Sequence, residues 1–143
     1  MPHILIDYTA NLQTLVDERE LVDTLHGAAV RSGIFPVWGI RTFARPVPHY
    51  RVGNGDPANG FIQVVVRIGP GRDLPLRQHI AALLFDALLD AVGDSFEGRR
   101  MACQLEVMEF DPALTLFQNN LADGADTSAV LRRFPAPEAS AKG

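Results

Sequence analysis

Pro2, the second residue of this 143-residue chain, has the most distinctive chemistry in the sequence. Removal of an initiator methionine that precedes a small residue would turn its ring nitrogen into a free secondary amine. An α-amino group has an ordinary pKa of about 8, and burial beside cations lowers that pKa. Because a neutral amine accepts protons near physiological pH, the sequence predicts Pro2 as a general base. A Met-Pro start is a weak signal on its own, since many chains begin this way by chance.

Arginines are concentrated in the middle of the chain. The net charge is −4, yet residues 41–77 hold six arginines and two acids, so this segment carries +4 and the remainder −8. An acidic protein with a basic centre is a poor nucleic-acid binder, but it can hold a small anion, because the guanidinium fork matches a carboxylate. The arginines of this segment are therefore candidates for binding an acidic ligand. The alternative for each is a solvated surface position.

Other chemistry-bearing residue types are sparse. Cys103 is the only cysteine, so it cannot form an internal disulfide, and the four histidines do not show metal-ligand spacing. We therefore expect no metal site. No apolar run approaches the roughly 18 residues of a spanning helix, and the start lacks the features of a secretory signal. These patterns predict a cytoplasmic protein with no membrane or nucleic-acid partner.

The elements that must position these residues form two similar halves. In the first half, the pattern predicts a strand at residues 2–8, a helix at 15–32 and a strand at 34–43. In the second half, a strand at 61–68 is followed by a helix that Asp73 caps and that reaches Val92, and then by a strand at 101–110.

Two successive βαβ units of this kind predict an α+β fold: a four-stranded mixed sheet with two helices on one face. The domain is expected to span residues 2–121, and residues 122–143, rich in Ala, Asp, Ser and Pro, are expected to form a flexible C-terminal extension. The segment 61–68 is nearly all β-branched or apolar, which predicts burial on both faces. We therefore expect a second subunit to cover the open face of the sheet.

Four sequence blocks together resemble one known family. The chain is similar to the 5-carboxymethyl-2-hydroxymuconate Δ-isomerases of the tautomerase superfamily, across residues 2–121, in the blocks Pro2–Asp7, Gly33–Arg41, Ile68–Arg72 and Phe117–Asn120. The resemblance implies a homotrimer with the tautomerase fold and no cofactor. It also implies keto–enol isomerisation of a dicarboxylate or tricarboxylate 2-hydroxydienoate to its 2-oxo-enoate, as in the breakdown of aromatic compounds.

The resemblance also implies roles for individual residues. Pro2 matches the amino-terminal catalytic proline of the family, and Arg41 and Arg72 match its two substrate-contacting arginines. Arg45 is a further candidate for substrate binding. The sequence places Arg41 late in the second strand and Arg72 in the turn before the second helix.

Two other readings stay open at this point. One keeps the proline and the arginines but acts on another small keto or enol acid, as a tautomerase or a hydratase. The other is a non-catalytic oligomeric binding protein with the same fold.

Overall fold

The computed structural model describes residues 2–121, and the predicted extension at 122–143 lies outside the described residues. Its main elements, in chain order, are β1 (His3–Thr9), α1 (Glu18–Ser32), β2 (Arg41–Val47), β3 (Gly60–Ile68), α2 (Leu74–Val92) and β4 (Met101–Glu109). All six lie in one compact unit that ends at Phe110. The described part of the following segment contains a 3-10 helix at Pro112–Leu114.

The four strands form one mixed sheet in the order β2-β1-β3-β4. β1 runs parallel to β2 and antiparallel to β3, and β3 runs parallel to β4. Each half of the chain is thus a parallel βαβ unit, and the two units join through the central β1–β3 pair. The predicted α+β fold with a doubled βαβ unit and two helices is confirmed.

Local residue signals fix where the helices begin and end. Asp17 caps α1 by accepting hydrogen bonds from the backbone amides of Arg19 and Glu20, and Gly33 ends the helix with φ of 69°. The predicted start at residue 15 was too early, because Leu15 and Val16 donate their amides to the carbonyl of Leu12. Asp73 caps α2 as predicted, by accepting from the amide of Leu76.

The second strand begins later than the sequence predicted. Residues 34–43 were expected to form it, but Val37–Gly39 is a 3-10 helix and β2 starts at Arg41. The amide of Gly39 donates a hydrogen bond to the carbonyl of Pro36, and the amide of Ile40 donates one to the carbonyl of Val37. These amides are therefore used within the turn and not in strand pairing. Arg41 is therefore the first residue of its strand, not a late one.

The two faces of the sheet differ in character. The inward face of the two central strands is buried with the helices in one core, through Ile4, Ile6, Tyr8, Ile62, Val64, Val66 and Ile68. Most of the inward residues of β2 and β4 are half-buried. The outward face of β3 alternates between apolar and polar side chains, with Phe61 and Val65 beside Gln63 and Arg67. In the single chain Phe61, Gln63 and Val65 are half-buried and Arg67 is exposed, so the predicted burial of β3 on both faces depends on a second subunit and stays a prediction.

Candidate active site

Pro2 lies buried at the start of the central strand β1. Its carbonyl accepts a hydrogen bond of 3.0 Å from the backbone amide of Arg41, which joins the start of β1 to the start of β2. Because β1 and β2 are parallel, both strands begin at the same edge of the sheet. This edge, where Pro2 and the first residues of β1 and β2 lie, is called the proline edge below.

The topology brings Arg72 to the proline edge as well. β3 is antiparallel to β1 and ends at Ile68, one residue beyond the partner of His3. The turn that carries Arg72 therefore leaves the sheet where Pro2 lies. Arg72 precedes the α2 cap, as the sequence predicted, and its Cζ lies 5.0 Å from the centroid of the Phe35 ring. Pro2, Arg41 and Arg72 thus share one end of the fold.

Arg41 is half-buried and its side chain is held locally. Nη1 donates a hydrogen bond of 3.0 Å to the carbonyl of Gly39, in the 3-10 turn that precedes β2. The strand register pairs Arg41 with His3, so the two side chains leave the same, outward face of the sheet. The turn that displaced the predicted strand is therefore the element that orients Arg41.

His3 lies between two arginines in the outward face. It pairs with Arg41 on β2 and with Arg67 on β3. Burial, and after it the charges of Arg41 and Arg67, lower the pKa of His3 below 6.5, so its imidazole is neutral at physiological pH. Its buried Nε2 has no hydrogen-bond partner among the described residues. Arg67 is an exposed residue on the same face of the sheet.

Arg45 lies away from the proline edge. It is four residues beyond Arg41, or about 13 Å along an extended strand. Its Nε donates to Oδ1 of Asp7 at 3.0 Å, and its Cζ lies 6.0 Å from the Phe43 ring centroid. Within one chain the structure does not bring Arg45 to Pro2, and its role in substrate binding stays a prediction.

A cavity of about 470 Å³ lies at the opposite end of β1, between Tyr8 and residues 13–18. The Tyr8 hydroxyl donates to Oε2 of Glu18, and burial together with this carboxylate raises the pKa of Tyr8 to about 12. Asp17 and Glu18 both line the cavity. A carboxylate ligand would meet like charge there, so this cavity is a poor candidate for an acidic substrate.

Among residues 2–121, no group of three or more His, Cys, Asp or Glu side chains is placed to hold a metal ion. No helix in the same range is long and apolar enough to cross a bilayer. Cys103 is half-buried beside the core, and burial raises the pKa of its thiol to about 11.

Comparison with known proteins shows which family the chain is similar to. The profile of the 5-carboxymethyl-2-hydroxymuconate isomerase family matches residues 2–124. The 5-carboxymethyl-2-hydroxymuconate Delta-isomerase of Escherichia coli is 28% identical over 121 residues, which cover 85% of this chain and 96% of that protein.

Solved structures agree with the sequence comparison. The crystal structure of a 5-carboxymethyl-2-hydroxymuconate isomerase from Deinococcus radiodurans R1 is 32% identical, with a TM-score of 0.77 over 83% of this chain and 90% of that one. A fused 4-OT wild-type symmetric trimer shares the fold at 15% identity, with a TM-score of 0.63 over 84% of this chain and 94% of that one.

Proposed function

Because the chain belongs to the 5-carboxymethyl-2-hydroxymuconate isomerase family and is a keto–enol isomerase, we propose that it acts on a carboxylated 2-hydroxydienoate and uses Pro2 as its base. The substrate is 5-carboxymethyl-2-hydroxymuconate or a close analogue with two or three carboxylates, and the product is the 2-oxo-enoate. The observation that supports this proposal is that Pro2, Arg41 and Arg72 all lie at the proline edge.

The reaction needs one group that takes a proton and returns it. Once Met1 is removed, the neutral Pro2 nitrogen accepts the enol O–H proton of the substrate. The oxygen becomes the carbonyl of a dienolate, and the electron pair moves along the conjugated chain to a remote carbon. The protonated Pro2 nitrogen then delivers the proton to that carbon, so no atom is gained or lost. A positioned acid or base of this kind contributes a rate factor of roughly 10² to 10⁴.

The arginines supply the positive charge that the reaction needs. Arg41 and Arg72 bind substrate carboxylates and stabilise the dienolate as its negative charge spreads. Arginine suits this task because it stays protonated while the neighbouring amine must be neutral. The same charges disfavour protonation of the Pro2 amine, so they bind the substrate and keep the base active. Arg45 would need a neighbouring subunit to bring it to the Pro2 of another copy.

The active form in this proposal is a homotrimer. The outward face holds an apolar row in which Phe43, Leu5 and Val65 lie side by side on β2, β1 and β3. Phe43 is 47% exposed in the single chain, and β2 and β4 are the outermost strands of the sheet. A second subunit would bury this row and satisfy the strand edges. Sedimentation equilibrium is expected to give three times the chain mass, and a stable monomer would contradict the trimer.

The proposal also covers the organisation and setting of the chain. Residues 2–121 form the catalytic domain, and residues 122–143 follow it as a flexible C-terminal extension. The enzyme works in the cytoplasm, in the breakdown of aromatic compounds.

The test of the base is a comparison of the wild type with Pro2→Ala. Ketonisation is followed by ultraviolet absorbance, with 2-hydroxydienoates that differ in the number of carboxylate arms. Because the alanine variant has a primary amine without the fixed ring, we expect kcat/KM to fall by about 10² to 10⁴. Mass spectrometry of both purified proteins shows whether Met1 is absent.

The possible results separate the competing functions. Wild-type rates in Pro2→Ala, or Met1 retained in an active enzyme, would remove Pro2 from the mechanism. Binding of the dienoates without turnover by the wild type would favour a binding protein. Activity only on other keto or enol acids, or addition of water, would change the substrate or reaction class.

A further inference from the structure

The guanidinium group of Arg72 is held by a ring from the first βαβ unit. Its Cζ lies 5.0 Å from the centroid of Phe35, which follows α1. Phe35 is only 5% exposed and packs in the core, so the ring is a fixed surface. A planar guanidinium can stack on an aromatic face without using its N–H donors. The contact therefore orients Arg72 and leaves its donors available for a carboxylate.

The backbone of Arg72 is held by Arg77, in the first turns of α2. Arg77 Nε donates a hydrogen bond of 3.1 Å to the carbonyl of Arg72, and Arg77 Nη1 lies 3.6 Å from Oε1 of Glu109. Glu109 is the last residue of β4 and pairs with Ile68 at the end of β3. One side chain thus ties the turn that carries Arg72 to the edge of the sheet.

The rest of the turn is confined by its neighbours. The amide of Phe110 donates to the carbonyl of Ile68 at 2.9 Å. A Cβ on Gly69 would lie 3.3 Å from the Phe110 ring, so the backbone approaches the ring closely at this point. Gly71 has φ of 112°, a conformation that favours glycine. The backbone that leads into Arg72 is therefore confined at Gly69.

From these contacts we infer that Arg77 and Phe35 are positioning residues that hold Arg72 ready for the substrate carboxylate. The inference rests on the proposed function, in which Arg72 binds that carboxylate. Arg77 does not bind substrate in this account, because its Nε and Nη1 are already directed at the Arg72 carbonyl and at Glu109. An arginine that is ordered before binding loses less conformational freedom on binding, which raises affinity.

The first experiment measures the order of Arg72 directly and does not depend on activity. The Nε–H group of Arg72 is observed by ¹⁵N NMR in the wild type, in Arg77→Met and in Phe35→Leu. The leucine keeps an apolar side chain in the core but removes the aromatic face. We expect a ring-current shift and a high order parameter for Arg72 in the wild type. Phe35→Leu loses the shift, and Arg77→Met lowers the order parameter. An Arg72 that is equally mobile in all three proteins would overturn the inference.

The second experiment is a double-mutant cycle of Arg77→Met and Arg72→Met on the isomerase reaction. In the wild-type background we expect Arg77→Met to lower kcat/KM by about tenfold, mainly through KM, because it weakens carboxylate binding in ground and transition states alike. In the Arg72→Met background the same change should have no further effect. Arg77→Lys should restore part of the loss, since one ammonium can reach either acceptor.

A matched control separates positioning from stability. Arg100→Met removes another arginine from an ion pair, at 3.9 Å from Asp56, but Arg100 is remote from the proline edge and its side chain is 74% exposed. Equal losses from Arg77→Met in both backgrounds, or losses matched by Arg100→Met, would show a general structural effect and overturn the inference. An Arg72→Met enzyme as active as the wild type would instead refute the proposed role of Arg72, while the NMR result would still decide whether Arg77 orders it.

Discussion

The two ends of the central strand β1 carry opposite chemistry. At the proline edge, Arg41, Arg67 and Arg72 surround the start of the strand, and within residues 2–121 neither Arg67 nor Arg72 forms an ion pair with a carboxylate. At the other end, Arg45 pairs with Asp7 and the Tyr8 hydroxyl donates to Glu18.

This difference explains why one end suits catalysis on an acidic substrate. Both ends carry charged groups. At the Asp7 end, Arg45 pairs with the carboxylate of Asp7, and the carboxylate of Glu18 accepts a hydrogen bond from Tyr8. At the proline edge Arg67 and Arg72 have no carboxylate partner among residues 2–121, so an anion that binds to them does not first displace one. The positions of arginines without a carboxylate partner among residues 2–121 therefore say more about where an anion binds than the net charge of −4 does.

The difference between the two ends predicts the largest effects on activity for Arg41 in β2 and for Arg72 in the turn between β3 and α2. Replacing Arg41 or Arg72 by Met removes charge-assisted hydrogen bonds to the substrate, and we expect kcat/KM to fall by about 10- to 100-fold. Arg45 lies on the same strand and face as Arg41. Its replacement by Met removes an exposed ion pair with Asp7 and a contact with the Phe43 ring. We therefore expect its kcat/KM to stay within about twofold of the wild type.

Steady-state kinetics of the three variants, with thermal melts to confirm folding, decide the outcome. Similar losses in all three would show that the two ends of β1 are not distinct in function. In that case Arg45 would contribute to substrate binding after all, through a neighbouring subunit, as the sequence indicated.

Short-range signals made much of the fold predictable. Gly33 and Asp73 mark helix ends through their own backbone geometry and hydrogen bonds, and the sequence shows them directly. The Asp17 cap was missed, because the predicted helix began at residue 15. The start of β2 was missed because the turn at residues 36–40 depends on which amides find partners, and its apolar residues look like a strand. Burial of the outward face of β3 depends on a second subunit and stays a prediction.

The site was only partly predictable for a different reason. The resemblance named Pro2, Arg41 and Arg72. That they lie at the same end of the fold depends on the antiparallel pairing of β1 with β3, which no local pattern encodes. Arg77 was missed because its acceptors are a backbone carbonyl five residues earlier and Glu109, far along the chain. No sequence signal joins these three groups. The row of Arg41, His3 and Arg67 likewise appears only once the register is known.

A smaller effect, on stability, tests the positive charge of the proline edge. Burial, Arg41 and Arg67 hold the pKa of His3 below 6.5 in the folded chain, so the unfolded chain binds the His3 proton more readily. Folding stability must then decrease as pH falls through 6.5 towards the folded-state pKa, and level off below it. The Asp7 end adds no such slope through Tyr8, since a pKa of about 12 places its titration in alkaline solution.

Urea unfolding of the wild type and His3→Gln between pH 5 and 7.5, at one fixed protein concentration, measures this difference. The wild type is expected to lose stability more steeply towards pH 5, because glutamine has no proton to gain. High salt should reduce the part of the slope that comes from Arg41 and Arg67 and leave the part that comes from burial. Parallel curves for the two proteins would mean that His3 is not held neutral. A slope that high salt leaves unchanged would mean that burial alone lowers the pKa of His3, and that the proline edge lacks the positive field that the proposed activation of Pro2 requires.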